Sequence, residues 1–198
     1  MFDELIFTGE TPAKEDAYVG GGACLPTELA WPCSPDGVPL THLMAFPGHW
    51  FSEALIDRSY WVSVFVPYLP GEVGHYRKLR AIQGRSQAVV MGYVRAGSER
   101  NEAAQPISDR GAVRLGVNCD VDDDENLASK LDGVDAWLQA PVSAEAGRRR
   151  VSIYGGDLDR ALPEHKGVLS DGMGYLFLDE DFSERIGAGI GRFFLQLG

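Results

Sequence analysis

Apolar and polar positions alternate most clearly in YWVSVFVPYL (Tyr60–Leu69), where Trp61, Ser63, Phe65 and Pro67 interleave with Val62, Val64, Val66 and Tyr68. Both sets are largely apolar. That predicts a strand buried on both faces near the centre of a sheet, ending close to Pro67, which cannot donate to a strand ladder. Further strands are predicted over Gln87–Ala96, Gly111–Val121, Arg148–Gly156, Gly174–Glu180 and Arg192–Leu197. Residues 1–19 read as one strand and a turn, and Phe51–Ser59 as a helical turn or two. The segment DDDENLASKLDG suggests a helix. Asp122 would cap it, Asp123, Asp124 and Glu125 would sit at the favourable end of its dipole, Leu127 and Leu131 would share a face, and Gly133 would stop it.

Between the first strand and the central one lies GGGACLPTELAWPCSPDGVPL (Gly20–Leu40), with no strand or helix period. Its glycines and prolines set backbone angles that other residues resist or cannot hold. Leu25, Leu29, Trp31, Val38 and Leu40 are too apolar for a solvated linker, so the stretch reads as an irregular corner pinned to a sheet by Leu25, Trp31 and Leu40. Many strands, few helices and turn-forming residues (24 Gly and 11 Pro in 198 residues) define the expected fold class: α+β, with a mainly antiparallel β-sheet and few short helices in a single domain over residues 1–198. A loose two-fold echo, Trp31-Pro32 in one half and Trp137 to Pro141 in the other, each followed by an aromatic strand, suggests two similar halves.

Net charge changes the functional picture. It is -11, with -4 in residues 1–99 and -7 in residues 100–198. Such a surface repels nucleic acid and anionic membranes and speeds encounter with basic partners. Three cysteines (Cys24, Cys33, Cys119) without a CxxC pair imply neither a disulfide framework nor a zinc site. The start MFDELIFTGE lacks the bases of a secretory signal, and no apolar run is long enough to span a membrane, so a cytoplasmic protein is expected.

No catalytic set emerges. GRSQA (Gly84–Ala88) lacks the closing glycine of a nucleophile elbow, and GAGIG (Gly187–Gly191) has too little chain behind it for a phosphate-binding helix; it reads as a bulged approach to the last strand. Asp120, Asp122 and Asp124 alternate as in a calcium loop, but Glu125 stands where glycine is needed and Leu131 where a bidentate Glu belongs. His42, His49, His75 and His165 form no helical metal pair. The basic clusters His75–Arg80 and Arg148–Arg150 read as internal counter-charges to the acids. No enzyme activity, metal or cofactor is expected.

The Gly/Pro stretch carries a resemblance. Gly20, Gly21, Leu25, Pro26, Trp31, Pro32, Gly37, Pro39 and Leu40 match, in order and spacing, the first signature of the YwqG-like domain family. DGVDAWLQ (Asp132–Gln139) and SDGMGYLFL (Ser170–Leu178) are similar to its later signatures. Ala23 replaces a proline of the pattern, Asp132 and Asp135 stand where it has Gly and Pro, and Ser170 replaces a glycine. The resemblance implies an α+β scaffold without a shared reaction. Some domains of this type look like immunity proteins encoded beside secreted bacterial toxins, including nuclease effectors of the type VI secretion system. The expectation that follows is an immunity protein that binds a cognate protein toxin, a basic nuclease, and occludes its active site, with no direct contact to nucleic acid or membrane. The carboxylates Asp120, Asp122, Asp123, Asp124, Glu125, Asp132 and Asp135 are the expected partner-binding residues. The alternative is a ligand-binding or regulatory module with a pocket between its halves, lined by Trp31, Trp50, Trp61 and Tyr175. A third reading, an enzyme using Asp171 and a nearby histidine, has the least support.

Overall fold

A computed structural model describes residues 2–55, 59–117, 120–142 and 147–198. Among these residues, eleven strands follow one another as β1 (Phe2–Phe7), β2 (Ala17–Gly20), β3 (Thr41–Pro47), β4 (Tyr60–Val66), β5 (Val89–Val94), β6 (Arg110–Gly116), β7 (Lys130–Asp132), β8 (Arg148–Tyr154), β9 (Met173–Leu178), β10 (Gly187–Ala188) and β11 (Gly191–Gln196). Two short helices interrupt them, α1 (Gly74–Leu79) after β4 and α2 (Gly155–Ala161) after β8. The α+β, mainly antiparallel expectation holds.

All the strands belong to one sheet in the order β10-β5-β4-β3-β2-β6-β1-β7-β8-β9-β11, and every pairing is antiparallel. β2-β3-β4-β5 forms one meander, β7-β8-β9-β11 a second, and the β6–β1 pair joins them. The two strands at the ends of that order are consecutive in the chain. β10 pairs with β5, β11 pairs with β9, and only Gly189 and Ile190 lie between them. Gly189 N–H donates to Val90 O (2.9 Å) on one side and Ile190 O accepts from Asp179 N–H (3.0 Å) on the other. The sheet is therefore rolled, and a single segment links its two ends. GAGIG forms that link, in keeping with its reading as an approach to the last strand.

The period-2 pattern of β4 sorts onto the two faces as expected. Val62, Val64 and Val66 point into the interior of the roll, with Leu5, Val19, Leu43, Val113, Val151, Leu176 and Phe193 from the other strands and Leu79, Leu158 and Leu162 from or beside the helices. Trp61 and Phe65 point outward into a second cluster with Tyr18, Leu25, Trp31, Leu40 and Tyr93. The Gly20–Leu40 stretch covers this outer face. Leu25, Trp31 and Leu40 are buried, and the Trp31 Nε1–H donates to Leu40 O (2.8 Å). Gly20 and Gly21 turn the chain at φ +69° and +61°, angles that cost other L-residues about 1–2 kcal/mol. In the second half a shorter segment does the same work. Trp137 and Leu138 pack over Tyr175, Phe177 and Phe194.

Several expectations need correction. The acidic run is a loop rather than a helix. β3 (Thr41–Pro47), buried along its whole length, follows directly on the Gly20–Leu40 stretch, where no strand was expected. α1 occupies the HYRKL segment, burying His75 and Leu79 one turn apart. Over residues 51–55 the described chain is irregular and follows a 3-10 turn, Gly48–Trp50; residues 56–58 of the expected helix, and Cys119, lie outside the described residues.

Candidate functional site

The seven carboxylates expected to meet a partner all lie between the end of β6 and the loop after β7, but they divide into two groups. The reason the acidic run is not helical is local. Short polar side chains compete with a helix by bonding nearby backbone. Asp123 Oδ1 accepts from Glu125 N–H (3.1 Å), Asn126 Nδ2–H donates to Val121 O (2.8 Å), and Asn126 Oδ1 accepts from Ala128 N–H (3.0 Å).

Asp122, Asp132 and Asp135 are turned to internal cations. Asp122 Oδ1 accepts from Val134 N–H (2.8 Å) and lies 3.6 Å from the Nζ of Lys130, a side chain with 0% exposure. That ammonium also sits over the Phe2 ring. Burial, and after it the Arg149 charge, lowers the Lys130 pKa from the ordinary lysine value, while Asp122 acts in the opposite direction. Arg149, also buried, donates from Nε to Asp135 Oδ1 (2.5 Å) and from its terminal nitrogens to Ser152 Oγ and to the carbonyls of Asp132 and Gly133. Arg150 forks onto both Asp132 oxygens at 2.6 and 2.9 Å. Three carboxylates thus face three cations, so their distant fields largely cancel. The counter-charge reading is met at Arg149 and Arg150 but not in the His75–Arg80 cluster, where Arg77, Lys78 and Arg80 pair with no described carboxylate.

Asp120, Asp124 and Glu125 are exposed, and Asp123 is half-buried. They stand beside an aliphatic surface that sequence reasoning missed. Val117 (92% exposed) and Val121 (74%) follow the end of β6; Leu115 and Ile6 are also partly open to solvent, on opposite faces of the β1–β6 ladder, since Leu115 pairs with Leu5 and Ile6 with Arg114. The pairing Glu4↔Gly116 brings the start of β1 to the end of β6, and Gly116 leaves room for the Ile6 side chain above it. Val134, also exposed, is tied to the acidic loop through Asp122. The signal was available as isolated valines in polar surroundings, but strand alternation alone assigned them to a longer β6.

No protein-family model matches the chain, and no curated protein matches it.

The aromatic residues expected to line an inter-half pocket are not brought together. Trp31 and Trp61 lie in the outer cluster of the first half, Tyr175 in that of the second, and Trp50 packs against Phe46 at the interior core. Asp171 is exposed in its turn and is joined to no histidine. His165 Nδ1 instead lies 3.4 Å from Asp109 Oδ2, and His75 Nε2 lies 3.1 Å from Val168 O. His42 is fully buried, with Nδ1 3.2 Å from Gly20 O and Nε2 3.3 Å from Ser63 Oγ, which in turn lies 2.7 Å from the Tyr93 hydroxyl. Desolvation pushes its pKa down to about 3, so it is neutral at ordinary pH. Among the described residues, no three His, Cys, Asp or Glu side chains are arranged to hold a metal ion, and no helix is long and apolar enough to cross a membrane.

Proposed function

We propose that the protein is an immunity protein. It acts in the cytoplasm, binds a basic protein toxin of the secreted nuclease class, such as a type VI secretion effector, and occludes the toxin's active site. The observation that carries this reading is the exposed Val117 and Val121 next to exposed Asp120, Asp124 and Glu125. An apolar centre with an acidic rim suits a protein partner that presents a basic groove. The centre supplies buried area, and the rim supplies steering and orientation. Asp122 and Asp132 brace the loop through internal cations, while Asp135 pairs with Arg149 but stays exposed and within a partner's reach.

The YwqG-like resemblance is compatible with one backbone feature. Asp132 and Ser170, where that pattern carries glycine, have φ +55° and +53°. Those are angles glycine adopts without cost.

The test is co-expression, in a bacterial host, with the basic toxin domain encoded by the neighbouring reading frame. Wild-type protein restores growth and co-elutes with the toxin. The double variant V117D/V121D loses both, while its thermal melt stays within a few degrees of wild type. Full protection by that variant removes the surface from the reading, and absence of both rescue and complex with wild type rejects the immunity function.

A further inference from the structure

Most arginines of this chain are answered by a carboxylate. Arg100 meets Glu102, Arg110 meets Glu99, Arg114 meets Glu10, Arg160 meets Asp157, and Arg185 and Arg192 share Asp179, in addition to the Arg148–Arg150 cluster. Arg95, without an acid, lies over the Trp61 ring and bonds Lys14 O. Three remain. Among the described residues, Arg77, Arg80 and Arg85 form no side-chain hydrogen bond, ion pair or ring contact, and neither does Lys78. In a chain of net charge -11, with 29 carboxylates to 18 Lys and Arg, four unanswered cations in nine residues run against the composition.

They are also gathered around one concavity. Arg77, Lys78, Arg80, Ile82, Arg85, Ser86 and Gln87 line a cavity of about 320 Å³ between α1 and the start of β5. Its walls are built by the backbone. Gln87 N–H donates to Lys78 O (2.8 Å), closing the segment into a loop, and Ile82 and Arg85 exchange N–H···O bonds at 2.9 and 3.1 Å across a tight turn. Gln83 and Gly84 form its tip with φ +50° and +70°. Ser86 Oγ–H donates to Phe193 O (2.6 Å), which anchors the loop to β11. One polar atom in this wall, Gln87 Oε1, is buried without a hydrogen-bond partner. The backbone that carries the cations is thus fixed, and no described carboxylate is paired with them.

We propose that this cavity is a binding site for a small polyphosphate-type anion. Guanidinium forks match phosphate oxygens two at a time, the lysine adds a point charge, and four positive groups suit a ligand carrying three or more negative charges. The volume lies at the small end of ligand sites and fits a short phosphate chain. The site lies on α1 and the following turn, formed from other residues than the acidic surface after β6, and does not depend on the immunity reading.

Sodium tripolyphosphate, titrated into the full chain by calorimetry at low ionic strength, tests it. Saturable one-to-one binding is expected, weakening as salt rises. R80Q and R85Q, both at exposed positions, each raise the dissociation constant about tenfold. K166Q, a cation outside the cavity, leaves it unchanged. Thermal melts confirm that each variant is folded. Absence of saturable binding, or equal affinity in R80Q, R85Q and wild type, overturns the proposal. Phosphatidylserine-containing vesicles form a second arm. Release of bound protein by tripolyphosphate supports a site for soluble phosphate, and retention on vesicles with no tripolyphosphate binding overturns it in favour of a lipid surface.

Discussion

His42 and Arg149 occupy equivalent places in the two halves of the sheet. His42 pairs with Phe65 across β3–β4 and Arg149 with Phe177 across β8–β9, and in both the register shifts immediately afterwards, at Leu43 and at Arg150. The facing phenylalanines each lie near a loop tryptophan, Trp31 at 5.1 Å and Trp137 at 6.1 Å between ring centroids. One site buries a neutral imidazole among hydroxyls and the other a guanidinium among carbonyls and a carboxylate. A bulge beside a polar side chain on a covered face is common to both halves, while the chemistry placed there differs.

His42 makes stability depend on pH. The unfolded imidazole takes up a proton near its ordinary value of 6.5, whereas the folded one does so only at about 3. Protonation therefore favours the unfolded state as pH falls through 6.5, and the stability present above that value is lost toward pH 3. The expected slope is about 1.4 kcal/mol per pH unit across the window, from this group alone. Urea denaturation at successive pH values should show that slope in wild type and a shallower one in His42→Gln.

Removing either partner of the Asp122–Lys130 pair should have unequal effects. Asp122→Ala leaves the Lys130 ammonium without its nearest carboxylate and should be the more destabilising change, whereas Lys130→Met replaces the charge by an isostere and should cost less. Glu125→Gln, on the outward side of the same loop, should stay within about 0.5 kcal/mol of wild type. Chemical denaturation of the three variants compares them directly.

Ser170 is held at φ +53°. Ser170→Gly should stabilise the protein by about 1 kcal/mol, because glycine meets that angle without a Cβ clash, partly offset by the entropy glycine gains when unfolded. A thermal melt raised by a few degrees is the expected result.

The link between the sheet ends leans on Tyr60, whose hydroxyl lies 2.6 Å from Phe182 O and 2.8 Å from Arg185 O. A Cβ at Gly92 would fall on that hydroxyl. Gly92→Ala should therefore destabilise by about 2–3 kcal/mol, more than Tyr60→Phe at about 1 kcal/mol, since the first displaces the ring and the second loses one hydrogen bond. Equal losses in equilibrium unfolding would show that the ring can move.

How much was legible follows from where each signal sits. The β4 pattern was readable because its two faces meet two different cores, both apolar, over seven residues. β3 was not, since Thr41 and His42 are polar residues buried by side-chain bonds to Gln105 O and Gly20 O that no local pattern announces. α1, at six residues, is too short for a helical period to stand out. The acidic run misled because aspartates that cap helices also close turns, and because the buried Lys130 that draws Asp122 inward looks like any surface lysine in sequence. The anchoring of the Gly20–Leu40 stretch by Leu25, Trp31 and Leu40 was readable, as large apolar side chains amid turn formers have few other uses.

The segment that carries β10 and β11 has a consequence for biosynthesis. On the ribosome, β5 ends at Val94 and emerges long before its partner β10 begins at Gly187, so the β2-β3-β4-β5 meander can form while its β5 edge stays open. That edge is an exposed hydrogen-bonding surface until the later segment is made. Synthesis that stalls in this interval leaves a nascent chain with an unprotected strand edge, and hence a window in which a chaperone has most to protect.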